Sequence, residues 1–150
     1  MAALLKAVQL VTDSEAIVKI SGNDTAPAII DIKTDILAAN QIVYPVGGNV
    51  VANIIGFQWA GEPGAIYKID RNGVRVASLL ADNGNFMDFV ELFPSEPTEN
   101  GSNISVTIVD KDGAAVQGEV WIRIRKVSGY ASKTETAVYS VYDDLTQVGS

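Results

Sequence analysis

The sequence contains neither cysteine nor histidine, and these two absences exclude much common site chemistry. Without cysteine there are no disulfides and no thiolate metal sites, so packing and hydrogen bonds must stabilise the fold. Without histidine the chain lacks the commonest general base near neutral pH and the commonest metal ligand. Ser-His-Asp and Cys-His catalysis are excluded, and we expect a protein that is not an enzyme and uses no cofactor or metal.

Positive charge and long apolar runs are also scarce. Eleven Lys and Arg residues stand against 18 Asp and Glu, for a net charge of −7, which opposes binding to a phosphate backbone. The most apolar stretch, 50–61, is interrupted by polar residues and is well short of the roughly 20 residues that span a bilayer. Met1–Leu10 carries only Lys6 and lacks the features of a signal peptide. We expect neither nucleic acid nor a membrane as a partner.

Short strand patterns separated by turns are present throughout the chain. Ala65, Tyr67 and Ile69 alternate with polar or smaller neighbours at the period of a half-buried strand. Asn72-Gly73 follows and precedes a second β-rich run, 74–80. Because tight hairpin turns need positive φ, which Asn and Gly tolerate, this segment predicts a β-hairpin.

Similar patterns predict the remaining strands and the fold class. Turn signals recur about every 8 to 12 residues, which is typical of an all-β, antiparallel β-sandwich. The sequence does not distinguish a jelly roll from an immunoglobulin-like topology. At most one short helical turn is expected, at 34–41, where Thr34 or Asp35 would cap it. The other expected strands are 4–11, 16–21, 28–33, 41–46, 50–59, 86–93, 104–108 and 119–127.

A Gly-Gly step after Pro45 is the best internal boundary in what we expect to be one compact unit. It separates an N-terminal β-rich segment or arm, 1–45, from a β-sandwich core, 46–130. The remaining residues, 131–150, are expected to form a C-terminal strand or tail. Within them, Tyr139 and Tyr142 belong to a stretch that is either the final strand or an arm docking on a neighbouring chain.

Clusters of carboxylates suggest a calcium site and a glycosidase site, and each has a simpler structural explanation. The segments 110–113 and 82–85 resemble the start of a calcium loop, but neither completes its ligand spacing, whereas Asp and Asn side chains commonly bond their own backbone in such turns. The pairs Asp143-Asp144 and Glu96 with Glu99 would need to face each other across a cleft for glycoside hydrolysis. We interpret them as solvated surface charge.

Aromatic residues supply the candidate binding surfaces. Phe57 and Trp59 are either core residues or an exposed platform, and core is favoured because large aromatics usually fill small sandwiches. Trp121 shares one strand face with Arg123 and Arg125, opposite an apolar face of Val120, Ile122 and Ile124.

Two interpretations of the Trp121, Arg123 and Arg125 face stay open. Trp and Arg are enriched at interface hot spots, so this face is a candidate contact with another chain. Alternatively, Trp121 packs under a loop while the arginines pair with surface acids.

Part of the chain, from about residue 53 to residue 130, resembles small β-sandwich virion proteins of tailed bacteriophages, especially capsid decoration or cement proteins. This covers about half of the chain. The segments that carry the resemblance are 53–59, 69–73 with Leu79-Leu80, 86–89, 104–108 and 120–130.

The resemblance implies a non-enzymatic protein on the exterior of the capsid. It would bind the major capsid protein or another virion protein, bridge capsid subunits against internal pressure, and form a homo-oligomer. The segment Met1–Tyr44 lies outside the resemblance and is a candidate for shell binding or strand exchange, because an unpaired strand edge accepts a strand from another chain. Two alternatives are a tail- or fibre-associated virion component and a carbohydrate-binding or adhesion module.

Overall fold

Eleven β-strands and no α-helix form the part of the chain that the structure, a computed structural model, describes: residues 3–45, 47–82, 86–88 and 100–132. The strands are β1 (Leu5–Val11), β2 (Glu15–Gly22), β3 (Ala28–Ile30), β4 (Gln41–Val43), β5 (Val51–Gly61), β6 (Ile66–Arg71), β7 (Val74–Leu80), β8 (Phe86–Asp88), β9 (Ile104–Val109), β10 (Gly118–Ser128) and β11 (Tyr130–Ser132).

Two antiparallel sheets pack across one apolar core. The first has the strand order β1-β2-β10-β5-β8 and the second the order β3-β9-β6-β7, while β11 and β4 form a separate pair. Buried residues from both large sheets belong to the same core cluster. The prediction of an all-β, antiparallel β-sandwich is confirmed.

The long strands β10 and β5 form the centre of the five-stranded sheet, and a β-bulge determines which β5 residues reach the core. Arg123 lies opposite Gly56, but the next residue, Ile124, lies opposite Ile54, so Ile55 is the extra residue. An extra residue shifts the alternation of side chains by one position. The bulge therefore allows Ile54 and Phe57, three residues apart, to be buried together.

The hairpin predicted from Asn72-Gly73 is confirmed. Strands β6 and β7 pair antiparallel around these two residues, whose φ angles are 50° and 77°. Two consecutive residues with positive φ match the twist of the flanking strands, which explains why Asn and Gly occupy the turn.

The helical turn lies earlier than predicted. Asp35 N donates to the carbonyl of Asp31 at 2.8 Å, so a single turn begins at Asp31, while Gln41 already belongs to β4. The Asp35 carboxylate accepts the backbone N–H of Asp31 at 2.8 Å. Asp35 therefore bonds back to the first residue of this turn through both its backbone and its side chain. The sequence had instead suggested Asp35 as the cap of a later turn.

Tyr67 fills one end of the core and explains two glycines. Its hydroxyl donates to the carbonyl of Ala60, and burial raises its pKa. A Cβ at Gly118 would lie 2.6 Å from this hydroxyl, and one at Gly61 would also collide with it. Only glycine fits beside the Tyr67 side chain at these positions.

The first two strands of the chain belong to the five-stranded sheet. Strand β2 lies between β1 and β10 and pairs with β10 along its whole length, from Glu15 to Gly22. The division of the chain at residues 45 and 130 stays a prediction.

Candidate functional site

The residues predicted to form an interface lie together on the solvent side of the five-stranded sheet. Strand β10 buries Val120, Ile122 and Ile124 completely, so the alternating residues point away from the core. We call this solvent side the outer face. Its members on β1, β2 and β10 are Leu5, Ala7, Leu10, Glu15, Ile17, Lys19, Ser21, Glu119, Trp121, Arg123 and Arg125.

Glu15 holds the two arginines of the outer face. Its carboxylate accepts Arg123 Nη2 at 3.1 Å and lies 3.5 Å from Arg125 Nη2. The Arg123 side chain is nevertheless 44% exposed. The pairing with a surface acid agrees with the alternative interpretation of the arginines, and the exposure leaves Arg123 able to contact another chain.

Trp121 is half-buried and lies beside a lysine. Lys19, opposite it on β2, places its ammonium group 5.2 Å from the centre of the indole ring. The same ammonium lies 3.5 Å from the carboxylate of Glu119. A cation at this distance is attracted to the electron-rich face of the ring. The outer face therefore combines an aromatic ring, three cations and two carboxylates.

Apolar side chains border these charges on the side of β1. Leu5 is 68% exposed and Leu10 is 48% exposed. Their register places Leu5 opposite Ser21 and Leu10 opposite Ile17. Exposed apolar side chains that form a patch are typical of a protein-binding surface.

The core interpretation of Phe57 and Trp59 is confirmed. Their exposed fractions are 2% and 4%, and the indole N–H of Trp59 donates to the carbonyl of Leu80 at 3.0 Å. Trp121 is therefore the only tryptophan that is not buried in the core, since the sequence contains two.

A buried arginine is a feature that the sequence analysis missed. Arg71 is fully buried, and its guanidinium donates to the carbonyls of Ala52 (2.7 Å), Ser102 (2.6 and 3.0 Å) and Asn100 (3.0 Å). The signal was present, because the alternation of Ala65, Tyr67 and Ile69 continues to residue 71 on the core face.

A buried lysine ends the core face of β10 in the same way. Lys126 donates to Gln41 Oε1 and to the carbonyl of Thr12 at 2.8 Å, and its ammonium lies 5.4 Å from the ring of Tyr130. Burial lowers its pKa, and the charge of Asp13 opposes this effect. The amine therefore connects β10 to the backbone of Thr12 and to the side chains of Gln41 and Tyr130.

Tyr130 joins the β11–β4 pair to the turn after β3. Its hydroxyl donates to the carbonyl of Ile32 at 2.6 Å. Burial raises its pKa well above the usual range, an effect that the positive charge of Arg71 opposes.

The acidic turn at 110–113 uses its carboxylate internally. Asp110 Oδ1 accepts the backbone N–H groups of Asp112 at 2.8 Å and Ala114 at 2.9 Å. These bonds lower the pKa of Asp110 because they favour the charged carboxylate. This geometry agrees with the turn interpretation. Within residues 3–82 and 100–132, apart from residue 46, no cluster of three carboxylates has a geometry that would hold a metal ion.

Several predicted features lie outside the described residues. They are the pair Glu96 and Glu99, the pair Asp143-Asp144, the tyrosines Tyr139 and Tyr142, and the segment 83–85 of the second acidic turn.

No helix among the described residues is long and apolar enough to cross a membrane. Comparison of the chain with protein-family models, with curated proteins and with solved structures finds no match.

Proposed function

We propose that this chain is a non-enzymatic structural virion protein that binds the exterior of a tailed-bacteriophage capsid and stabilises the shell, as decoration or cement proteins do. The proposal takes its class from the resemblance of residues 53–130. The observation that carries it is the outer face, where Trp121, Arg123 and Arg125 lie on one exposed sheet surface, with Lys19 beside the indole ring.

The charges of the outer face indicate the kind of partner that would fit. The chain as a whole has a net charge of −7, but this surface carries Lys19, Arg123 and Arg125 against Glu15 and Glu119. A shell protein that presents carboxylates and an apolar groove would match it. Complementary charges would set register and association rate, while the indole would serve as the aromatic anchor.

The carbohydrate-binding alternative has less support in the structure. Such modules stack sugars on exposed aromatic rings, and the burial of Trp59 leaves one tryptophan for that role.

The test is binding of the isolated protein to expanded capsid shells that lack it. We expect the wild type to bind and Trp121→Ala to bind more weakly by roughly 30-fold or more, as for a central aromatic anchor. Cosedimentation with the shells measures this affinity, and circular dichroism verifies that each variant is folded.

Two arginines provide a matched comparison in the same assay. Arg123 and Arg75 both have an exposed side chain in an ion pair, with exposed fractions of 44% and 47%, but Arg75 lies on the other sheet. Arg123→Ala should weaken binding and Arg75→Ala should not. A folded wild type that fails to bind, or a Trp121→Ala variant with wild-type affinity, would contradict the proposal.

A further inference from the structure

Strand β1 is an edge strand with unusually apolar and exposed residues. It pairs with β2 on one side, and no strand within the described residues pairs with its other side. Six of its seven residues are exposed, including Leu5 at 68%, Val8 at 41% and Leu10 at 48%. An unpaired, apolar strand edge is a template for another strand.

Two backbone hydrogen bonds at the start of β2 establish which of its residues bond towards β1. Glu15 O accepts Thr12 N at 2.8 Å on the β1 side, and Ser14 O accepts Lys126 N at 2.8 Å on the β10 side. Residues of an antiparallel strand alternate between its two neighbours. Ile17 and Lys19 therefore follow Glu15 and bond towards β1.

The same alternation identifies the backbone groups that β1 leaves open. Ala7 lies opposite Lys19 and bonds with it, so its neighbours Lys6 and Val8 direct their N–H and C=O groups to the unpaired side. Lys6 and Val8, which carry these four groups, are two residues apart. An added antiparallel strand requires this spacing.

The usual protections of an edge strand are weak in this part of β1. A charged side chain or a bulge normally prevents edge pairing. The ammonium of Lys6 is bound to Asp35 at 2.6 Å and to the carbonyl of Ile29 at 2.9 Å, so its charge is neutralised inside the chain. The bulge lies at Gln9, after Lys6 and Val8.

We propose that β1 pairs with β1 of a second copy, antiparallel and about a twofold axis at Ala7. In this register Lys6 and Val8 of one copy exchange backbone hydrogen bonds with Val8 and Lys6 of the other. Ala7 faces its own symmetry mate at a closely spaced, non-hydrogen-bonded position, where a small side chain fits. With a twofold axis, the same strand of each copy forms both sides of the interface.

Charge and size on this strand favour a second copy as the occupant. The register places Lys6 opposite Val8, so the two lysines do not face each other. The residue on the axis, Ala7, is the smallest of the strand. Because the only charge of β1 is already paired, the edge needs no oppositely charged partner. This inference goes beyond the proposed function and uses the open backbone groups of the β1 edge, although the Ala7 side chain itself belongs to the outer face.

The test substitutes the residue on the axis and measures self-association. Ala7 is exposed, so Ala7→Lys and Ala7→Glu should fold, but each places like charges directly opposite one another across the dimer. Sedimentation velocity of the full chain should show dimerisation weakened about fivefold in either variant. An equimolar mixture of the two variants should recover the dimer. Ala60→Lys, an exposed position on β5 of the same sheet, is the control and should dimerise as the wild type does.

Several outcomes would overturn the proposal. They are a wild type that stays monomeric, dimers insensitive to Ala7→Lys, no recovery on mixing, or backbone amides of Lys6 and Val8 that stay protected from hydrogen exchange in a monomeric variant. A wild type that stays monomeric in solution, but whose Lys6 and Val8 amides become protected from hydrogen exchange on binding shells, would instead assign the edge to a strand of the shell protein. Trp121→Ala should remain dimeric whether or not it binds shells, so the two proposals fail separately.

Discussion

Arg71 shows how one residue organises the chain around it. A guanidinium group presents five N–H donors in a planar fork, whereas a lysine ammonium presents three on a single atom. Arg71 uses this fork to reach carbonyls on β5 and on the segment before β9. Its cost of burial is offset because the surrounding backbone satisfies the charge.

We predict that Arg71→Met costs about 3 to 5 kcal/mol in free energy of unfolding, because buried carbonyls lose their donor. Arg71→Lys should cost less, since it keeps a charge but cannot form the fork. Urea unfolding measures both. Arg75→Ala, at an exposed pair on the next strand, is the control and should change stability by about 1 kcal/mol or less. An Arg71→Met variant as stable as Arg75→Ala would contradict this account.

At the scale of elements, the small β11–β4 pair depends on polar contacts. Tyr130 and Lys126 connect it to the sandwich through Ile32, Gln41 and Thr12. Lys126 and Tyr130 both titrate in alkali, and they change the stability of the fold in opposite directions as pH rises. Burial lowers the pKa of Lys126, so its contribution makes stability rise with pH until about pH 10.

Because Tyr130 is partly buried, we predict that the protein loses stability above pH 10. The pKa of Tyr130 is raised in the folded protein, so the unfolded chain, with a tyrosine pKa near 10, releases the proton first. The folded state then binds more protons, and stability falls as pH rises. Tyr67 acts with the same sign.

Tyr130→Phe should make this alkaline decline shallower. At neutral pH it should cost about 1 kcal/mol, for the lost bond to Ile32. Urea unfolding between pH 8 and pH 12 measures both effects. An equally steep decline in Tyr130→Phe would contradict the role assigned to its burial.

The sequence predicted the elements better than the polar core. The hairpin at Asn72-Gly73 and the two faces of β10 followed from turn chemistry and period-two alternation, which are local. The pairing of Glu15 with Arg123 could not be predicted, because 108 residues separate them. Arg71 and Lys126 were missed because charged residues are almost never fully buried, although the alternation pointed inward at both.

At the scale of the whole molecule, one sheet offers two surfaces at right angles. The outer face carries Trp121 with Arg123 and Arg125, and the β1 edge carries open backbone groups at Lys6 and Val8. Under the two proposals, a copy would contact the shell through its face and a second copy through its edge. Such an arrangement would let one small protein bridge neighbouring shell subunits.

The most direct test of the central claim is the position of this protein on a purified virus particle. Electron cryomicroscopy of particles with and without the protein would locate it by difference density. The proposal predicts density on the outer surface of the capsid, with the outer face of the five-stranded sheet directed at the shell. Density confined to the tail or fibres, or none on the particle, would contradict it.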